Sequence, residues 1–135
     1  MTDDDLIARA SAARTRAYAP YSKYHVGAAV LAEGDVFDGA NVENASYGLA
    51  ICAERTAVCR AVLEGIREID TVAVVTESSP PASPCGMCLQ TLAEFSRDSK
   101  PLRVLLANLR GERRVLTLAE LLPHAFRPED LARKG

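Results

Sequence analysis

Asp70-Thr71-Val72-Ala73-Val74-Val75-Thr76 contains a continuous apolar run from Thr71 to Val75. A strand with one wet face alternates apolar and polar residues, whereas one covered on both faces reads as unbroken Val, Ile and Leu. This stretch therefore predicts a buried strand between two layers. After it, a Pro/Ser loop from Ser78 to Pro84 leads into a helical pattern, Cys85 to Phe95. A second buried strand is expected at Leu102 to Ala107. Before it, Cys52 to Glu64 places Ala57, Val58, Ala61 and Val62 at helical spacing, and Gly65 ends that helix.

Further out, Val26 to Ala32 reads as a strand, Glu33-Gly34-Asp35 as a turn and Val36 to Ala40 as the hairpin mate. Asn41 to Ile51 is a long polar loop, and long loops in compact domains are often functional. Asp3 or Asp4 is expected to cap a helix running to about Tyr18, with Leu6, Ala10, Ala13 and Ala17 on one face. At the other end, the short turn Leu109-Arg110-Gly111-Glu112 permits only an antiparallel neighbour near Val115. Thr117 then caps a short helix, Leu118 to Leu122, and Pro123 to Gly135 reads as a tail. The order predicts an α/β fold: one mixed sheet of about five strands with helices on its faces, in a single domain over 1–135.

The 135 residues suffice for one domain that folds without disulfides. A net charge of -2 gives no basic excess to hold a polyphosphate backbone. No apolar run approaches the roughly 20 residues that span a bilayer. Thr2-Asp3-Asp4-Asp5 is acidic where a signal peptide is basic, so a cytoplasmic location is expected. In such a reducing compartment the cysteines (Cys52, Cys59, Cys85 and Cys88) favour metal or catalytic roles over disulfides.

Two segments carry the chemistry: Cys52-Ala53-Glu54-Arg55 and Pro84-Cys85-Gly86-Met87-Cys88. Each starts a predicted helix with a cysteine, where free backbone N–H groups and the helix dipole favour a thiolate. Cys85 and Cys88 share a helix face and can bind one ion, with Cys52 as a third sulfur if the two helix starts converge. Three protein ligands leave one tetrahedral position open, the mark of a catalytic zinc site. An isolated CxxC also occurs in redox sites and zinc ribbons, but a ribbon needs four ligands. Cys59 lies about 10 Å further along its helix and is read as a small buried hydrophobe. His25 and His124 fall outside both clusters and are read as surface or strand-end residues.

Glu54, two residues from Cys52, can reach over an open metal position and exchange protons there. Taken alone it would be an ordinary first-turn carboxylate. Arg55 is placed to donate to the sulfurs and offset the charge of three thiolates. Taken alone it would be a solvated surface charge.

With these residues in place, the sequence resembles the short, homotetrameric cytidine deaminases, zinc enzymes with a Cys₃ site and a non-ligand Glu. The resemblance runs from about Leu6 to Leu131. It rests most on Tyr18 to Tyr24, Val26 to Ala29, Gly39 to Gly48, Cys52 to Ala57, Ser83 to Cys88 and Leu121 to Phe126.

That resemblance implies a three-layer αβα fold and hydrolysis of cytidine and 2′-deoxycytidine to the uridines and ammonia. It implies one zinc ion per subunit on Cys52, Cys85 and Cys88, Glu54 as proton shuttle and Arg55 as the tuning cation. Asn41 and Glu43 would bond the ribose hydroxyls; Tyr24 and Phe126 would pack on the pyrimidine or close the pocket. Ala53 and Ser83 would read the base edge through their backbones. Ala45 and Tyr47 would reach a neighbour's site, with Phe126 arriving from another subunit. The expected partners are a small nucleoside and further copies of the chain, without nucleic acid or membrane.

The sequence departs from the family pattern twice. Leu89 stands where Arg is common, ahead of the retained Gln90, and Tyr24 stands where Phe is more frequent. Three rival readings remain at this stage. One is a modified or antibiotic nucleoside such as blasticidin S as substrate. Another is a non-catalytic zinc scaffold, and the last is RNA or DNA editing.

Overall fold

The computed structural model describes residues 1–97 and 99–132. Helix α1 (Asp3–Arg14) is followed by the hairpin β1 (Gly27–Ala32) and β2 (Asp35–Ala40), a 3₁₀ turn (Tyr47–Leu49) and helix α2 (Ala53–Leu63). Strand β3 (Thr71–Thr76), helix α3 (Gly86–Glu94), strands β4 (Arg103–Asn108) and β5 (Arg113–Thr117) and two short helices, α4 (Leu118–Leu121) and α5 (Pro128–Ala132), complete the chain. The sheet runs β2-β1-β3-β4-β5. β1 is antiparallel to β2 and β3, β3 is parallel to β4, and β4 is antiparallel to β5. The mixed sheet expected from the sequence is therefore present, with the run 71–75 in its central strand.

Side chains of a strand point alternately to its two faces, and each face here meets its own helices. Ala29, Ala73, Val75, Leu105 and Ala107 face Leu6 and Ala10 of α1. Val30, Val72, Val74, Val104 and Leu106 face the opposite way, against Ala57, Val58 and Leu92 of α2 and α3. These two cores make the three layers. Leu92, Leu105 and Leu106 are fully buried, and cutting such a leucine to alanine costs about 2–5 kcal/mol.

Two glycines let helices approach the sheet. A Cβ on Gly27 would collide with the Ala10 carbonyl oxygen and come within 2.6 Å of Arg14 N. A Cβ on Gly39 would meet the Thr56 side chain and lie 2.5 Å from Ala57 N. α1 therefore rests on β1, and α2 on β2, at backbone distance.

Three local expectations are corrected. The cap of α1 is Thr2, not Asp3 or Asp4: Thr2 Oγ1 accepts from Asp5 N at 3.1 Å, and Asp5 Oδ2 accepts from Thr2 N at 2.9 Å. The acidic residues fill the first turn instead, where they face the positive helix end. The same helix stops at Arg14, because Tyr18 N donates to Asn41 O at 3.0 Å and leaves the helix to pair with the following loop. Cys59 is exposed, not buried. Ala53, Glu54, Ala57, Val58 and Ala61 form the buried stripe of α2, and helical spacing places Cys59 on the far side of it. The tail contains α5, while its last three residues, 133–135, lie outside the described residues.

Candidate metal centre

Cys52 and Cys85 occupy the N-cap positions of α2 and α3. A cap is normally Ser, Thr, Asp or Asn, whose oxygen accepts from a free N–H of the first turn. Neither cysteine makes such a bond. The sulfurs turn instead toward each other and toward Cys88 in the first turn of α3. Cys52 Sγ lies 3.9 Å from Cys85 Sγ, which lies 3.5 Å from Cys88 Sγ. All three ligand atoms fall within 4.8 Å of one another, and this is the only such cluster among the described residues.

Sulfurs at about 2.3 Å from a tetrahedral zinc ion stand about 3.8 Å apart. The observed spacings bracket that value, so the donor set fits zinc in number, chemistry and size. Charge points the same way. The Cys88 thiol beside it, with Arg55 and Cys85, pulls the Cys52 thiol down to about 5 against the effect of burial. Cys88 moves the opposite way, held protonated by its bond to Cys52, by burial and by the charges of Glu54 and Cys52. Three thiols this close cannot all carry charge without repelling one another, a repulsion that a dication removes.

Glu54 is only 4 % exposed, unusual for a first-turn carboxylate. Burial pushes its carboxyl above the usual range, and the charge of Cys52 adds to this. Arg55 Nη2 donates to Cys52 Sγ at 3.7 Å and to the Ala50 carbonyl at 3.4 Å. Its buried Nε has no partner. The guanidinium is thus held between the Cys52 sulfur and the Ala50 carbonyl.

A cleft of about 290 Å³ opens beside the cysteines. It lies where β3 ends and the loop toward α3 begins, the position at which open α/β sheets bind ligands. Tyr24, Asn41, Glu43, Ala53, Glu54 and Ser83 all line it, together with Cys52 and Cys85. Thr76 also lines it and was not anticipated from sequence; its position at the C-terminal end of the central strand was the available signal. Asn41 and Glu43 already have partners. Asn41 Oδ1 accepts from Val26 N at 2.9 Å, and its Nδ2 donates to Tyr24 O at 2.8 Å. Glu43 Oε1 accepts from Tyr21 N and Ser22 N at 3.0 and 3.1 Å, and Ser22 Oγ donates to Oε2. These bonds clamp the 18–24 segment over the cleft. Ala45, Tyr47 and Phe126 do not line it. Tyr47 is 82 % and Phe126 56 % exposed, and Ala45 is exposed as well.

Residues 1–101 match the family model for the cytidine and deoxycytidylate deaminase zinc-binding region. The chain is 49 % identical over 133 residues to the cytidine deaminase of Sporosarcina psychrophila, covering 98 % of this chain and 96 % of that one. The chain belongs to the cytidine deaminase family. It is 50 % identical over 128 residues to the enzyme of Halalkalibacterium halodurans, covering 93 % of this chain and 95 % of that one. The crystal structure of the cytidine deaminase from Burkholderia pseudomallei superposes with a TM-score of 0.87 at 50 % identity, over 93 % of this chain and all of that one.

Within this cytidine deaminase family member, the two departures now have a place. Leu89 is buried and packs into the core of the α2/α3 face, so no cation stands there. Arg55 is the cation that touches a sulfur among the described residues. The extra hydroxyl of Tyr24 adds a polar contact: it hydrogen-bonds the Ser78 hydroxyl.

Proposed function

We propose that the chain, acting as one deaminase domain, hydrolyses cytidine and 2′-deoxycytidine to uridine and 2′-deoxyuridine with release of ammonia. The observation that carries the reading is the buried carboxyl of Glu54 in a cleft lined by Cys52 and Cys85, on which the buried Cys88 converges. Cys52, Cys85 and Cys88 would hold one zinc ion per subunit. When bound through three protein ligands, zinc supplies Lewis acidity and an acidic water in its open position.

The rest is done by side chains. Glu54 takes a proton from the attacking water and delivers it to ring N3 as C4 is attacked; it then takes the remaining proton of the new C4 hydroxyl and passes it to the amine, which leaves as ammonia while the C4 carbonyl forms. Its burial suits this, because a carboxyl with a raised proton affinity holds the proton more readily between the two transfers. Arg55 offsets the thiolate charge by donating to Cys52. Ala53 and Ser83 offer backbone groups to the base edge. Tyr24 supplies an aromatic wall. Asn41 and Glu43, fixed by their bonds to the 18–24 segment, keep lone pairs for the sugar hydroxyls.

The remaining family positions support assembly. Ala45, Tyr47 and Phe126 contribute nothing to this chain's own cleft, and Tyr47 and Leu49 leave large apolar side chains 82 % and 64 % exposed. Exposed apolar patches of that kind are characteristic of contact surfaces. They fit a homotetramer in which neighbouring copies complete each active site. No helix among the described residues is long and apolar enough to cross a membrane, which is compatible with a cytoplasmic enzyme in pyrimidine salvage.

The test is a substrate panel on purified protein of measured zinc content. Falling ultraviolet absorbance with stoichiometric ammonia from cytidine and 2′-deoxycytidine is expected. Zinc-loaded protein that leaves both nucleosides intact would overturn the assignment.

A further inference from the structure

A continuous set of hydrogen bonds leads from the cleft wall to the turn between β4 and β5. The Tyr24 and Ser78 hydroxyls bond each other. Ser78 N donates to Thr76 Oγ1 at 3.2 Å, and Ser78 O accepts from Asn108 Nδ2 at 2.9 Å. Asn108 Nδ2 also donates to Glu112 Oε1 at 2.9 Å. Asn108 Oδ1 accepts from Arg110 N and Glu112 N at 3.0 and 3.1 Å. Ser79 Oγ donates to the same Glu112 carboxylate oxygen.

The topology brings these groups together. Parallel pairing of β3 and β4 sets Thr76 opposite Asn108, so both strands end side by side. Antiparallel pairing of β1 and β3 sets Gly27 opposite Val75, which carries the segment before β1 across the same end. Asn108 is 7 % exposed, and both ends of its amide are fully used here. A buried amide with every partner in place fixes geometry, because each lost bond leaves a desolvated group behind.

We propose that Ser78 and Asn108 are positioning residues that hold the Tyr24 ring as the wall of the substrate cleft and thereby set nucleoside affinity. The proposal rests on the nucleoside reading of the cleft. Tyr24 is partly exposed, and a ring without the tether is free to turn outward. Substrate would then have to order it on binding, which weakens binding without touching the proton transfers at Glu54.

The test uses the zinc-loaded enzyme and the variants Tyr24→Phe, Ser78→Ala, the double variant, Ser78→Thr and Asn108→Ala. Ser78→Ala is expected to raise KM for cytidine about fivefold, the worth of one hydrogen bond, with kcat within about twofold and zinc content unchanged. Tyr24→Phe should match it, the double variant should add nothing, and Ser78→Thr should restore KM. Asn108→Ala should raise KM similarly while also lowering the melting temperature. An unchanged KM in Ser78→Ala, or single effects that multiply in the double variant, would overturn the tether. Melting temperatures of the same set read the Tyr24–Ser78 coupling without substrate. Additive shifts there would also overturn the tether, whereas a wild type inert toward cytidine would overturn only the nucleoside reading.

Discussion

The sulfurs of Cys52 and Cys85 lie 3.9 Å apart across 33 residues of sequence, each at the N-cap of a different helix on the same face of the sheet. Neither helix start has a side-chain cap, and the positive end of a helix favours the thiolate form of a cysteine placed there. The protein has given up two helix caps, each worth about 1 kcal/mol, to place two thiols at one point. That exchange makes sense only if the thiols bind something.

Replacing Glu54 with Gln keeps the shape of the side chain and removes its proton exchange. Turnover of cytidine is expected to fall by at least about 10²–10⁴-fold, while zinc content by elemental analysis stays at the wild-type level. A variant that kept near-normal turnover would remove Glu54 from the reaction.

Arg55→Gln tests whether the guanidinium at 3.7 Å from Cys52 Sγ tunes the cluster. Groups that support ligands in this way typically change metal affinity or activity by about 10–100-fold. A loss in that range, with the fold intact by circular dichroism, is expected. An Arg55 variant with unaltered rate and zinc affinity would make this residue a packing element only.

The outer edge of the sheet makes a pH prediction. Burial raises the Asp38 carboxyl, but hydrogen bonds from Arg60 and Arg9 more than offset it and leave the group below the usual carboxylate range. A depressed folded value contributes stability above the unfolded value, about 3.9, and loses it as pH falls through the folded one. Asp38→Asn should therefore cost about 0.5–1 kcal/mol at pH 7, with the difference from wild type closing below about pH 4. Thermal melts at pH 7, 5 and 3 check this, and a pH-independent gap would contradict it.

Gly27→Ala places a methyl on the Ala10 carbonyl oxygen. Overpacking of a tight contact costs about 1–3 kcal/mol, so a fall of several degrees in melting temperature is expected. No fall would mean that α1 can lift from β1 freely.

Much of this was legible in the chain because it depends on local pattern. The unbroken run 71–75 marked a buried strand, and the two cysteine segments marked two helix starts. What escaped depends on contacts between distant segments. Tyr18 left its predicted helix because Asn41 and Val42 offered backbone pairing. The Tyr24–Ser78 bond exists because two strand ends meet, and sequence spacing says nothing of that. Cys59 was misread because a small apolar residue in an amphipathic helix looks buried until its angle to the Ala53–Ala57–Ala61 stripe is considered. Ala45, Tyr47 and Phe126 do not line this chain's cleft, since the proposed role of each needs a second copy.

The most direct measurement is X-ray absorption at the zinc edge of the purified protein, together with its zinc content. One zinc per chain, with three sulfur scatterers at about 2.3 Å and one oxygen or nitrogen, is predicted. A shell of four sulfurs, or protein that folds and turns over cytidine with no metal, would contradict it.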